Sequence, residues 1–214
     1  MKRIATCLLL FSVFSCVSPN YVTNITSYQK VQHLNKKTVT VVGLDRVFIH
    51  NYEKAFHKNY QNDTDFVNAI ARQFAGSLEE SSTFHEAKYD FSDDWNHVNT
   101  MASKKSYLKV QELLKECTTD YVIILDEFEL KKMLNSNTTY SGGDINNGQM
   151  TTTTEMIHLS AKVKMFDVKT HDPIIDFDVY GEDQVFLFSY SSSLMDAKDK
   201  MVAHALEFLA NHKK

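Results

Sequence analysis

Proline and glycine are scarce in this 214-residue chain, at two and six residues. No Pro/Ser/Gly-rich stretch follows the first dozen residues after position 15, so nothing reads as an interdomain linker and one domain is expected. Cysteine is equally sparse. Of the three, Cys7 lies in an apolar leader, Cys16 stands at its end, and Cys117 alone sits in the body, which excludes a disulfide framework. Basic clusters are missing too: 23 Lys and Arg face 27 Asp and Glu, a net charge of −4, and nucleic acid is not an expected partner. The longest leader-like apolar run, residues 4–17, falls short of the roughly 20 residues that span a bilayer. Finally, the sequence has no Gly-rich phosphate loop, no G-x-S-x-G, no H-E-x-x-H and no C-x-x-C, so neither a cofactor nor an enzymatic activity is expected.

What is present begins with that leader. Lys2 and Arg3 precede the apolar run and the small Ser15 precedes Cys16, which is the anatomy of a signal peptide. The order Val13-Phe14-Ser15-Cys16 resembles the lipobox of bacterial lipoproteins. That resemblance implies a diacylglyceryl group on the Cys16 thiol and removal of residues 1–15, which takes the net charge to −6 by loss of two cations. An ordinary secretory signal is the alternative, and it would leave Cys16 free to pair with Cys117. Residues 16–37, including "VSPNYVTNITSYQKVQHLNKK", are polar and weakly patterned and read as a tether between lipid and domain. Under the usual sorting pattern of lipoproteins, the lack of Asp after Cys16 and of an acidic run points to the outer membrane, facing the periplasm. The sequons at Asn24, Asn62 and Asn137 would matter only in a eukaryotic secretory pathway.

The domain is expected over residues 38–214. "TVTVVGLDRVFI" is rich in β-branched residues and reads as a strand over residues 38–49. In "DTDFVNAIARQFAGSLEES", Phe66, Ile70, Phe74 and Leu78 recur every four residues, an amphipathic helix that Asp63 or Thr64 can cap. "FHEAKYDF" is a weak strand. "KKSYLKVQELLKEC" places Tyr107, Val110, Leu114 and Cys117 on one helical stripe. "YVIIL" reads as a central strand that emerges into solvent beyond Asp126. Alternation in "EMIHLSAKVKMFDV" and "IIDFDVYG" predicts an antiparallel hairpin, and "SLMDAKDKMVAHALEFLANHKK" is a final helix on Leu194, Ala197, Met201, Ala205, Phe208 and Leu209. The order β-α-β-α-β-β-β-α requires an α/β (α+β) fold, one mixed β-sheet packed by about three helices.

This pattern resembles the periplasmic α/β domain shared by the curli secretion-channel lipoprotein, the penicillin-binding-protein activator lipoproteins and the amino-terminal domain of TolB. The likeness rests on "VTVVGLDRV", "FVNAIARQFAGSLEESSTF", "CTTDYVIILDEFEL" and "AKVKMFDVKTHDPIIDF", the last with Asp167 and Thr170 flanking its turn, and covers about residues 38–209. It implies an assembly or activating factor that binds another envelope protein. Two departures stand out. The TolB propeller is absent, and the insertion at residues 135–154, "NSNTTYSGGDINNGQMTTTT", is too polar to face lipid; it reads as a mobile loop or a recognition surface.

The remaining candidates are few. Tyr180, Phe186, Phe188 and Tyr190 form a possible interaction patch, although Phe186 and Phe188 could instead form a further strand facing the core. Asp93, Asp94 and His97, around Trp95, could place an acid and an imidazole together in a metal-dependent or small-ligand site, the alternative function; solvated loop residues are the simpler reading, and no metal is expected. His158 is expected on a wet sheet face. Cys117 is expected to be an inert core thiol. Asp126, Glu127 and Glu129 are expected to form a solvated acidic strand end that discourages edge pairing.

Overall fold

The computed structural model describes residues 21–29, 31, 33–91, 95, 104–140 and 149–211. Among them the chain runs β1 (Val22–Tyr28), β2 (Thr38–Gly43), β3 (Val47–Ile49), α1 (Glu53–Asn59), α2 (Asp63–Glu80), β4 (Glu86–Asp90), α3 (Lys104–Glu116), β5 (Tyr121–Tyr140), β6 (Gln149–Asp167), β7 (Pro173–Gln184) and α4 (Tyr190–Asn211). The seven strands form one mixed sheet in the order β1-β7-β6-β5-β2-β4, with β3 also beside β5. The fold is α/β as expected.

Two stretches explain why β2 and β5 lie inside the sheet, each between two other strands. "VTVV" and "YVIIL" are apolar on both faces, as strands covered on both sides must be. Val39 and Val41 of β2 and Ile123 and Leu125 of β5 face the main core under α1, α2 and α4. Their neighbours Val42, Val122 and Ile124 face the opposite way, into a smaller core with Val110, Leu113 and Leu114 of α3 and with Trp95. β2, β4 and β5 run parallel, which the helical crossovers between them permit. β5, β6, β7 and β1 then pair antiparallel.

The helices form for the reasons their patterns suggest. α2 buries Phe66, Ile70, Phe74 and Leu78, and its cap is Asn62, one residue before the expected pair, whose Oδ1 accepts from the Asp65 amide at 2.8 Å. α4 buries Leu194, Ala197, Met201, Ala205 and Leu209. Phe208 is only partly buried and packs on Phe177, centroids 4.4 Å apart. No helix among the described residues is long and apolar enough to cross a membrane.

Several expectations need correction. The ordered domain reaches back to Tyr21, because residues expected as tether form β1, which pairs with β7 at Val22–Val179 and Tyr28–Ile175. The polar "NITS" conceals this strand because it lies at the sheet edge, where an alternating core pattern is not required. The stretch expected as one strand over residues 38–49 breaks at Leu44 to Arg46 into β2 and β3, and α1 was not foreseen. β5 does not end at Asp126. It continues to Tyr140 and pairs with β6 as far as Gln149, so most of the expected loop at residues 135–154 is a β-ribbon.

Candidate functional site

A β-bulge builds the most structured polar site. Before Asp126 the core-facing residues of β5 are Ile123 and Leu125; after it they are Phe128 and Leu130, so one extra residue has been inserted. The register confirms this, since Asp126 lies opposite Lys162 and Glu129 opposite Ser160. Glu127, at φ 50°, is the residue in left-handed conformation. Asp126 keeps the alternation of Val122 and Ile124, and the extra residue brings Glu127 and Glu129 to that same face, beyond the small core under α3.

Those carboxylates are not a solvated end. Asp126 is fully buried, and Arg46, on the connection between β2 and β3, donates from Nε to its Oδ1 at 2.8 Å and from Nη2 to its Oδ2. The same guanidinium reaches Glu127 at 3.1 Å, and Lys162 reaches the other Glu127 oxygen at 3.0 Å. Hydrogen bonding to Asp126 and the charges around it raise the Arg46 pKa further above its ordinary value. Glu129 pairs with Lys131 at 2.8 Å and with His50 at 3.1 Å, and these partners hold its carboxyl below the usual range.

Around the network lies a groove of about 510 Å³ lined by Arg46, Phe48, Glu127, His158, Lys162 and Tyr180, among others. His158 is buried, not wet: its Nδ1 is 2.7 Å from Glu182 Oε1 and its ring stacks on Tyr180, centroids 4.9 Å apart. Tyr180 and Glu182 of the neighbouring strand β7 cover it. Among the described residues no hydroxyl or thiol is hydrogen-bonded to the His158 imidazole, so it forms no nucleophile and base pair with one of them. The groove's cations each face a carboxylate.

The four aromatic candidates do not form one patch. Tyr180 belongs to the groove, its ring against Tyr21 at 5.5 Å. Tyr190 starts α4 and packs on Tyr52, centroids 5.6 Å apart, near Phe188 at 6.3 Å. Tyr52 in turn donates to Glu155 at 2.8 Å; burial, with that bond, pushes its hydroxyl pKa up. Phe186 and Phe188 form no strand and do not enter the core. With Leu187 between them they stand in the turn after β7, 62%, 96% and 84% exposed in chain order.

Of three further candidates only Cys117 lies among the described residues. Asp93, Asp94 and His97 lie outside the described residues, as does Cys16; Trp95 between the first two and the third is buried in the smaller core. Among the described residues no group of three or more His, Cys, Asp or Glu could hold a metal. Cys117 is half-buried at the end of α3, its Sγ donating to the Leu113 carbonyl at 3.4 Å. Burial first, then the charges of Asp90 and Glu116, push its thiol up to about 11.

One element that sequence reasoning did not find is the arm of β5 and β6. β3 flanks β5 only as far as Ile49–Leu130, and β7 flanks β6 only as far as Gln184–Met156. Residues 135–140 and 149–154 therefore pair with each other alone among the described strands. Thr and Ser hydroxyls link across it, Ser136 to Thr153 and Thr138 to Thr151, each at 3.2 Å. Leu134, at its base, is 62% exposed. The Thr-rich "TTTT" run was the available signal, since β-branched residues favour strands even where both faces are wet.

No protein-family model matches the chain, and no curated protein matches it. Among solved structures it is similar to the PelC dodecamer from Paraburkholderia phytofirmans, at 13% identity over 87% of this chain and 94% of that one, TM-score 0.40. It is also similar to the hypothetical protein CT253 from Chlamydia trachomatis, at 12% identity over 82% and 99%, TM-score 0.42. The lipoprotein GNA1162 from Neisseria meningitidis matches at 13% identity over 82% and 99%, TM-score 0.39. These matches do not single out the curli-channel group, and at such scores they are too loose to carry a function.

Proposed function

We propose that the chain is a non-enzymatic, lipid-anchored envelope protein whose α/β domain docks onto another envelope protein as an assembly or activating factor, through the arm of β5 and β6. The observation that carries this reading is the arm itself. A two-stranded ribbon is marginally stable alone in water, and its two outer rows of amides and carbonyls suit the addition of a partner's strand. Leu134 and Met133, 62% and 42% exposed at its base, add an apolar foothold. The leader ending in Cys16 supports the anchor, and the non-enzymatic part of the reading follows the sequence, which carries none of the catalytic motifs named above.

The test uses the protein in its native membrane with a photoreactive residue at position 134. A discrete protein crosslink is expected, and it should vanish when residues 137–152 are replaced by Asn-Gly, a two-residue hairpin turn, while the fold and its melting temperature are kept. A crosslink that survives this shortening, or none at all from position 134, sinks the reading. Intact mass beside Cys16→Ser checks the anchor separately.

A further inference from the structure

The turn after β7 exposes three large apolar side chains in a row, and its backbone makes that exposure costly rather than accidental. Leu187 and Phe188 both have positive φ, 44° and 69°, a region that bulky residues avoid. Two bonds close the turn: the Ser189 amide donates to the Phe186 carbonyl at 2.8 Å, and the Phe186 amide donates to Ser189 Oγ at 3.0 Å. Strain of this kind persists where the surroundings enforce it and points to use. The flanks are uncharged: from Gln184 to Met195, "QVFLFSYSSSLM", there is neither acid nor base.

The chain's own beginning indicates what meets this turn. Tyr21 is fixed at the level of Tyr180, whose amide donates to the Tyr21 carbonyl at 3.1 Å, and its ring is stacked on His204 with centroids 3.8 Å apart. β1 is antiparallel to β7, so the upstream direction at Tyr21 is the direction in which β7 runs toward the turn. Cys16 lies five residues upstream, a contour of at most about 18 Å. The six residues from Tyr180 to Phe186 span about 20 Å. An acyl chain on Cys16 thus keeps the bilayer within a distance of Tyr21 comparable to that of the turn.

We infer that Phe186, Leu187 and Phe188 insert into the lipid surface beside the Cys16 anchor, as a second membrane contact that fixes the domain's orientation. The inference rests on the anchor reading above. A single apolar attachment leaves a tethered domain free to swing, whereas an aromatic tip at the interface sets its tilt. The arm of β5 and β6 leaves the sheet past Gln184, at the same end as the turn, and its Thr, Ser and Asn residues cannot enter hydrocarbon, so insertion of the turn requires the strands to lie inclined to the membrane with the arm along its surface.

The experiment uses the mature protein, its acylation verified by intact mass, carrying Leu187→Trp and bound to phosphatidylethanolamine and phosphatidylglycerol vesicles with brominated acyl chains. The indole at position 187 should lose most of its emission, while one introduced by Lys88→Trp, near the opposite end of the sheet, should keep it; Trp95 is a constant background. In the Cys16→Ser chain, Phe186→Ser with Phe188→Ser should weaken vesicle partitioning at least about tenfold. An acylated protein whose position 187 stays unquenched on the vesicles overturns the inference and leaves the anchor standing. Crosslinking from position 187 to a protein in native membranes, without quenching by lipid, overturns it in favour of a protein partner. A mass without acyl groups sinks the anchor reading instead, and failure of the unacylated chain to bind vesicles through the turn then sinks the inference as well.

Discussion

The Arg46 guanidinium grips the fully buried Asp126 carboxylate across a chain connection, with Nε 2.8 Å from Oδ1, and its own carbonyl accepts from the Phe128 amide at 3.0 Å. One residue thereby closes both sides of the bulge in β5. Removing one member of a buried pair leaves an uncompensated charge, whereas replacing both by apolar groups need not. Arg46→Met should lower stability by about 3 kcal/mol or more in urea unfolding. Combining it with Asp126→Leu should recover most of the loss, and a double variant as unstable as the single one would mean that the pair shapes the bulge itself.

Two glycines should respond in opposite directions. A Cβ on Gly181 would lie inside van der Waals contact of the Ala197 carbonyl oxygen and the Met201 amide nitrogen, so α4 would have to lift off β7. Gly181→Ala should cost about 3 kcal/mol. Around Gly76, in the middle of α2, nothing lies within 4 Å of such a Cβ, and Gly76→Ala should stabilise the fold by about 0.5 to 1 kcal/mol. Chemical denaturation of both variants beside the parent checks the pair.

Acid should unfold the domain through a small set of carboxylates. Asp120 accepts from Lys37 Nζ at 2.8 Å and from the Thr38 amide at 2.9 Å, tying the starts of β2 and β5 together. The Lys37 bond, with Thr38, holds its carboxyl below the usual range. Glu155 is lowered by Lys132 and by Tyr52. A folded pKa below the unfolded one stabilises the fold above the ordinary carboxylate value of about 3.9 to 4.3, and this contribution is lost as pH falls through the folded value. The melting temperature should therefore hold steady down to about pH 5 and drop below about pH 4. Asp120→Asn should lower it at neutral pH and shrink the acid drop; an unchanged acid limb would remove Asp120 from this account.

Cys117 should be a poor nucleophile while the chain is folded. Its thiol is pushed up to about 11 by burial, with Asp90 and Glu116 adding to the effect, and the thiolate is the reactive form. A disulfide reagent at pH 8 should label it slowly in the native protein and rapidly in denaturant. Equal rates in both states would show that the end of α3 opens freely.

How much the sequence disclosed depended on whether a residue's neighbours along the chain are also its neighbours in space. Periodicity alone identified α2, α4, the hairpin of β6 and β7, and the doubly buried starts of β2 and β5, because the pattern of apolar residues there is set by local geometry of period 3.6 or 2. The leader and Cys16 are likewise sequence features. The continuation of β5 was hidden, because the bulge at Asp126 and Glu127 inverts which residues face the core, and a broken alternation looks like the end of a strand.

Only the tertiary structure decided the rest. It drew residues 22–28 into the sheet, since an edge strand needs one partner's hydrogen bonds and few buried side chains. It buried His158 under Tyr180, buried Asp126 beneath Arg46 some 80 positions earlier, and sent Tyr180 to a different surface from Phe186 and Phe188. In each case the partner is distant in sequence, and hydrogen bonds, charge pairing and steric cover act through space, where no repeat along the chain records them.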